Sequence, residues 1–303
     1  MIEALRVVDG GLFTTVQDRG RPGYRGVGVP VGGAFDREAM GLANALAGNP
    51  DDWAVLEMTL RGGVYEAIVD LALGLAGSPM RAAHNEMTLS VPSCFTLRAG
   101  CRLEVGGCAT GARTYLAVRG GWQTAEILGS RSCESRLEAG HILRAIKESR
   151  TMTRHPLVQP ETASPIRVMP GPDATGIVKD WRERPYRVGQ RIDRMGVRLE
   201  SADDLRRGPE LGERLSAPVA PGTIQMAGGQ LIVLGVACGT MGGYPHVGQV
   251  IGADLDRLGQ LRPGREVRFE EVTIEEARRV GATARDEGEV WRRRIRTMVR
   301  DGA

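Results

Sequence analysis

The runs WAVLEMTL (53–60), YEAIVDLALGLAG (65–77), FTLRAG (95–100), RLEVGG (102–107) and RTYLAVRGG (113–121) decide the fold class. Each is short, apolar and closed by glycine or charge, and they recur at the spacing of all-β barrels and sandwiches. The first half of the chain is therefore expected to be mainly β, with only a few helices. Upstream, LRVVDGGLFTTVQDRGRPG (5–23) reads as a strand, a Gly-Gly turn, a second strand and a Pro-Gly loop. The period then changes: Asp36 can cap a helix running to about Ala47, with Ala39, Met40, Ala43, Leu46 and Ala47 on one face and Gly48-Asn49 as a left-handed stop.

Downstream, SRTMTRHPLVQPETASP (149–165) is polar, contains proline and has no sustained period, as a linker or long surface loop would. Strand-like segments resume with IRVMPGP (166–172), VGQRIDRMGVRLE (188–200) and TIQMAGGQLIVLGVACG (223–239). A short helix is expected near 254–261, then the strand REVRFEEV (265–272). Thr273 and Glu276 form a capping-box pattern for a C-terminal helix whose arginines at 292–296 read as a solvated face. The expected organisation is a first lobe 1–148, a linker 149–165, a second lobe 166–273 and a C-terminal helix 274–303.

Bulk properties exclude several classes. A chain of 303 residues can build two cores, and 42% hydrophobic against 25% charged residues is a folding composition. A net charge of +3 with dispersed basic residues gives no footprint for nucleic acid. The longest apolar runs, such as 231–236, fall short of a membrane span, and the opening residues have neither a basic nor an apolar signal region, so a cytoplasmic location is expected. Five cysteines without a C-x-x-C pair and four scattered histidines offer no metal-ligand spacing, and no metal is expected.

Several clusters join glycine to charge. Gln17-Asp18-Arg19-Gly20-Arg21 places an amide, a carboxylate and two guanidinium groups on a glycine loop, suited to anion or amide recognition or to a turn closed by its own Asp–Arg pair. Asp36 follows Gly32-Gly33 at a helix start, where backbone N–H groups could hold a carboxylate or Asp36 could simply cap. Glu57, inside an apolar strand, either points outward or is buried with an arginine. Arg131 and Arg194 are carboxylate binders or structural ion-pair partners. Gly242-Gly243-Tyr244-Pro245 is a glycine hinge beside a phenol, or a sharp turn. The sequence has no phosphate loop, no nucleophile elbow and no Cys/His pair with a family spacing.

Taken in order, GLFTTVQDRGRPGYRGVGVPVGGAFD (11–36), LANALAGNP (42–50), LEMTLRGG (56–63), RTYLAVRGG (113–121), LGSRS (128–132), RVMPGPD (167–173), DRMGVRLE (193–200), PGTIQM (221–226), GGYPHVGQVIGADLDRLGQLRPG (242–264) and VRFEEV (267–272) resemble the allophanate hydrolase subunit 2 family. That family is also labelled KipA-like, biotin-dependent carboxyltransferase component or 5-oxoprolinase C component. The resemblance implies two cyclophilin-like β-barrel lobes. It implies a Kip inhibitor-like partner (allophanate hydrolase subunit 1, or the 5-oxoprolinase B component), the 5-oxoprolinase A component, and a small amide as substrate. ATP or carboxybiotin is implied for the assembly, with no binding motif for either in this chain.

Amide chemistry of that kind needs oxyanion donors, a group to handle an amide proton and an arginine for a carboxylate. The resemblance points to Asp18, Gln225 and Tyr244 as catalytic residues and to Gln17, Arg21, Asp36, Glu57, Arg131 and Arg194 as substrate- or anion-binding residues. Three departures stand against it. A longer glycine-rich loop in relatives is replaced by Cys133-Glu134-Ser135-Arg136; a stretch of the form A-D-R-Q-T-T reads Val236-Ala237-Cys238-Gly239-Thr240-Met241; and S-E-G becomes Ser216-Ala217-Pro218. Loss of those polar groups supports an alternative, a KipA-like binding module that antagonises a Kip inhibitor-like partner of a sensor kinase.

Overall fold

A computed structural model describes residues 1–146, 155–156, 165–176, 178, 180–203, 205 and 215–301, so most of the expected linker lies outside the described residues. The protein is mainly β, with sheets that form barrel-like lobes. It divides into two compact units, one of residues 1–20, 36–161 and 287–303, the other of 21–35 and 162–286.

The first unit holds two antiparallel sheets. One runs, in spatial order, Ile142–Ala145, Ile2–Asp9, Val64–Ala67, Arg102–Val105, Ala82–His84 and Met87–Leu89; the other His155–Pro156, Ser93–Leu97, Leu71–Gly77, Arg113–Val118, Val55–Thr59 and Phe13–Gln17. Strand Arg102–Val105 shows why the chain pairs this way: Leu103 and Val105 are buried while Arg102 and Glu104 are exposed, the period of two that a sheet with one wet face requires. Leu5, Val7, Leu56, Leu73, Leu103 and Trp122 meet in one core.

Helix α1 (Arg37–Ala47) starts where Asp36 accepts from the Ala39 amide at 2.8 Å and stops at the left-handed Gly48, as its sequence predicts. It packs on strand Leu71–Gly77, where a side chain at Gly74 would come within 2.2 Å of the Ala43 carbonyl oxygen and 2.8 Å of the Ala47 nitrogen. Replacing Gly74 with valine is therefore expected to push α1 off the sheet and cost about 3 kcal/mol or more. Urea denaturation checks this, with loss of the near-UV signal of buried Trp122 as a second readout.

The second unit is an eight-stranded sheet in the order Glu266–Val267, Tyr186–Ile192, Gly196–Glu200, Gln230–Leu234, Thr223–Ala227, His246–Val250, Ile166–Pro170 and Phe269–Glu271, antiparallel except for its last pair. A two-stranded ribbon, Ala217–Pro218 with Met241–Gly242, accompanies it. Its core centres on Trp181, Tyr186 and Phe269, with ring centroids 5.5–5.6 Å apart from the Phe269 ring. The expected helix near 254–261 is a 3-10 turn, Gly252–Asp254, followed by helix α2 (Leu255–Leu258). Buried Asp254 takes the Arg167 guanidinium at 2.6 and 3.1 Å and the Arg167 amide at 2.7 Å, tying the turn to strand Ile166–Pro170.

Two segments cross the expected boundaries. Residues 21–35 leave the first unit and join the second: Gly32 N–H donates to the Val236 carbonyl at 3.0 Å, and Phe35 is buried in the second core, under Gly235 and Gly259. Helix α3 (Ile274–Asp301) begins with the expected capping box, the Thr273 amide to Glu276 Oε2 at 2.9 Å and the Glu276 amide to Thr273 Oγ1 at 3.2 Å, but residues 287–301 belong to the first unit. Arg292 and Arg296 are not a solvated face. Both grip Asp51, with Arg292 Nε at 2.8 Å from Oδ2, and Arg292 also reaches Glu38. Ionic contacts to α1 and to the loop after it, far away in sequence, are what a local reading of that arginine run lacks.

Candidate functional site

The predicted polar residues divide between the two units, and only some of them meet. In the first unit Asp18 is the hub. Its Oδ1 accepts from Gly20 N–H at 2.7 Å, Ser130 Oγ at 2.6 Å and Ser132 Oγ at 2.7 Å, and its Oδ2 accepts from Arg131 N–H at 2.6 Å. Ser132 Oγ in turn accepts from the Asp18 amide at 3.1 Å. Gln17, fully buried beside it, donates to Thr15 Oγ1 and to the Cys133 carbonyl, both at 2.9 Å. The loop 17–20 and the loop 129–133 are thus one hydrogen-bonded body. The Arg131 guanidinium faces Thr124 O and Glu126, so in this structure it serves as an ion-pair partner.

Glu57 is 1% exposed, buried with an arginine. Strand Val55–Thr59 lies between Phe13–Gln17 and Arg113–Val118, with Thr15 and Tyr115 opposite Glu57 in register. Glu57 Oε1 lies 3.4 Å from Arg113 Nε, and Oε2 accepts from the Tyr115 hydroxyl at 2.9 Å; that hydroxyl accepts from the Asp36 amide at 2.8 Å. Asp36 is accordingly a cap in a buried chain that runs from Arg113 to the start of α1. These groups are packed away from solvent and hold structure.

Burial pushes the Tyr115 phenol well above its ordinary range, with Glu57 and Asp36 adding to the effect, and burial raises Tyr65 to about 12. A phenol whose folded pKa exceeds its unfolded value stabilises the fold fully below about pH 10 and loses that contribution as pH rises through the folded pKa. Unfolding free energy is therefore expected to fall between about pH 10 and 12. Phenolate absorbance from Tyr65 and Tyr115 should appear only together with the loss of β-sheet circular dichroism; their ionisation in the folded state would contradict the burial argument.

The second unit gathers the rest. Arg194 is 4% exposed and donates through Nη2 to the Gly33 carbonyl at 2.6 Å, holding the visiting segment 21–35. Arg21 sits on that segment, its amide donating to Val31 O at 2.7 Å. Gln225 and His246 are register partners on adjacent strands, and Gln225 Nε2 lies 3.4 Å from the Tyr244 carbonyl. A side chain at Gly242 would stand 2.5 Å from that amide nitrogen, so the ribbon crosses Gln225 on bare backbone. Tyr244 is 57% exposed.

Arg25 escapes a reading of the sequence alone. From the 3-10 turn Arg25–Val27 its guanidinium reaches the carbonyls of Val219 and Gly239, which places it at one end of the ribbon. Its neighbour Cys238 is a buried thiol whose pKa burial raises against the opposing pull of Arg25. The available signal is its place in Tyr24-Arg25-Gly26, inside the longest quoted motif. Ser130 and Ser132 are also missed as Asp18 partners, although LGSRS contains both.

The fold and these groups define a two-unit β protein with glycine-bordered polar loops in each unit. A family model, "Carboxyltransferase domain, subdomain A and B", matches residues 27–271, and the chain belongs to this family. It is 32% identical to the C component of 5-oxoprolinase from Escherichia coli K12 over 290 residues, 90% of this chain and 93% of that protein. It is 28% identical to a putative urea carboxylase of Emericella nidulans over 91% of this chain and 25% of that one. Among solved structures, TTHA0988 is 33% identical with a TM-score of 0.79, covering 89% of this chain and 56% of that one. The Kluyveromyces lactis urea carboxylase, at 24% identity, shares the fold with a TM-score of 0.85 over 95% of this chain and 29% of its own.

Proposed function

We propose that this chain is the C component of an ATP-dependent 5-oxoprolinase, working with its other components to open the cyclic amide 5-oxoproline to glutamate. The observation that carries this reading is the end-to-end likeness to the 5-oxoprolinase C component, which spans 93% of that protein, whereas the likeness to urea carboxylase covers a quarter of a larger protein. Opening the ring adds water across a C–N amide bond and requires donors to the developing oxyanion and a proton for the departing nitrogen.

In this reading the second-unit cluster meets the amide. The exposed Tyr244 phenol contacts it, the buried Gln225 amide holds the Tyr244 carbonyl behind that ring, and Arg21 attracts its carboxylate. Asp18, Gln17, Glu57, Asp36, Arg131 and Arg194, engaged with the protein's own groups, position the loops rather than touch substrate. ATP or carboxybiotin is handled by the assembly rather than by a motif of this chain. Residues 236–241 contain no carboxylate, which favours the alternative of a KipA-like module that only sequesters its partner.

Co-purification with a Kip inhibitor-like B component and the A component, followed by kinetics of Tyr244→Phe, separates the two. The 5-oxoprolinase reading expects a stable complex and a kcat about tenfold or more below that of the unaltered protein. A stable complex with no effect of Tyr244→Phe on any turnover would favour the binding module.

A further inference from the structure

The last turns of helix α3 carry apolar side chains on two sides, and the fold covers only one of them. Ile295 and Val299 are buried in the first unit, and Arg292 and Arg296 on the same side hold Asp51. At 3.6 residues per turn, Glu287, Val290, Trp291, Arg294 and Met298 fall at i, i+3, i+4, i+7 and i+11, on the side turned away from those contacts. Val290, Trp291 and Met298 are 49%, 44% and 39% exposed. One exposed apolar side chain on a helix needs no explanation, but three along one face, with a tryptophan at the centre, form the kind of patch that association covers.

The charges on this face identify what covers it. Glu287 and Arg294 are exposed and have no ion-pair partner among the described residues, although Arg292, Arg293 and Arg296 of the same turns all have one. Nor does either gain an i, i+3 or i, i+4 pair within the helix, because those places hold Thr283, Ala284, Val290, Trp291, Thr297 and Met298. When two copies of the face lie antiparallel about a twofold axis beside Val290 and Trp291, Glu287 of each copy meets Arg294 of the other, and Val290 meets Trp291 across the axis. A parallel pair would set glutamate against glutamate and arginine against arginine.

We propose that this face of α3 is a self-association surface on which a second copy of the chain docks antiparallel. The patch is complementary to itself, with its acid and its base equally far from the apolar centre, which is what a twofold interface requires: residue i meets residue j and j meets i. A single helix face buries less than the roughly 800 Å² per partner of a standard interface, so the dimer is expected to be weak, with a Kd of about 10–100 µM.

The test is sedimentation equilibrium of the full chain from about 1 to 300 µM, over which the weight-average mass should rise from that of a monomer towards twice that value. Glu287→Arg and Arg294→Glu should each raise the dissociation constant about tenfold or more, because each sets like charges together on both sides of the axis. Both variants should melt within about 2 °C of the unaltered protein, since neither side chain has a partner within its own copy. Mixing the two variants one to one should restore association, as should combining both changes in one chain, and Trp291→Ala should weaken it about tenfold. A protein that stays monomeric throughout, a dimer indifferent to both charge reversals, or variants that fail to associate when mixed would each overturn the proposal. Protection of 287–298 from hydrogen exchange only on adding the other assembly components, or only on adding anionic phospholipid vesicles, would overturn it as well by giving the face a different occupant.

Discussion

Replacing Glu57 with alanine is expected to destabilise the first unit by about 3–5 kcal/mol, because it removes one partner of a buried ion pair and leaves the other charged. Arg113, 3% exposed, would keep its charge in an apolar sheet, and the Tyr115 hydroxyl would lose its acceptor while still receiving the Asp36 amide. The damage should reach α1, since Asp36 begins that helix. Equilibrium urea unfolding measures the loss. Glu57→Gln should recover only part of it, as the amide restores the Tyr115 contact and not the counter-charge. Replacing both Glu57 and Arg113 with apolar residues of similar volume should cost far less than either single change. If Glu57→Ala alone cost under about 1 kcal/mol, the buried network would not be the structural element described.

Asp18→Ala should have a comparable effect by a different route. Its carboxylate accepts two serine hydroxyls and two backbone N–H groups that have been drawn from loops more than a hundred residues apart. Without it those donors stay buried and unmet, at an expected cost of roughly 3–5 kcal/mol after allowing for non-additivity. The loss should be local first. Amide exchange at 129–133 should accelerate before the rest of the unit responds. Arg131→Ala, by contrast, removes a half-exposed ion pair with Glu126 and the contact with Thr124 O, and should cost only about 1 kcal/mol. Equal sensitivity at both positions would mean that the side chain of Arg131, and not its amide, holds the loop.

Much of this architecture is legible in the sequence wherever a residue's role is local. The Asp36 cap, the Gly48 stop, the Thr273–Glu276 box and the alternating strands are decided within a few positions, and propensity and period read them directly. The orientation of Glu57 is not legible, because its strand has neighbours on both sides and is buried at four consecutive positions, 55–58. A period of two says nothing when both faces are covered. Equally hidden are the passage of 21–35 into the second unit and the hold of Arg292 on Asp51, 241 positions away, since both depend on contacts that no local pattern encodes.

For the site, the sequence brings forward the right segments more readily than the right residues. Arg194 reads as an anion holder but spends an N–H on Gly33, while Arg25, on the same glycine-rich stretch as Arg19, reaches the Val219 and Gly239 carbonyls. Charge next to glycine identifies a loop that something approaches. Which arginine in it is committed to the fold is a matter of tertiary hydrogen bonding.

The proposed activity is open to one decisive assay: ATP-dependent glutamate formation from 5-oxoproline in an assembly reconstituted with and without this chain. Stoichiometric glutamate and ADP are expected with the full set of components, and none when this chain is omitted. Glutamate formed at the same rate without it, or none with it beside turnover of urea, would contradict the 5-oxoprolinase reading.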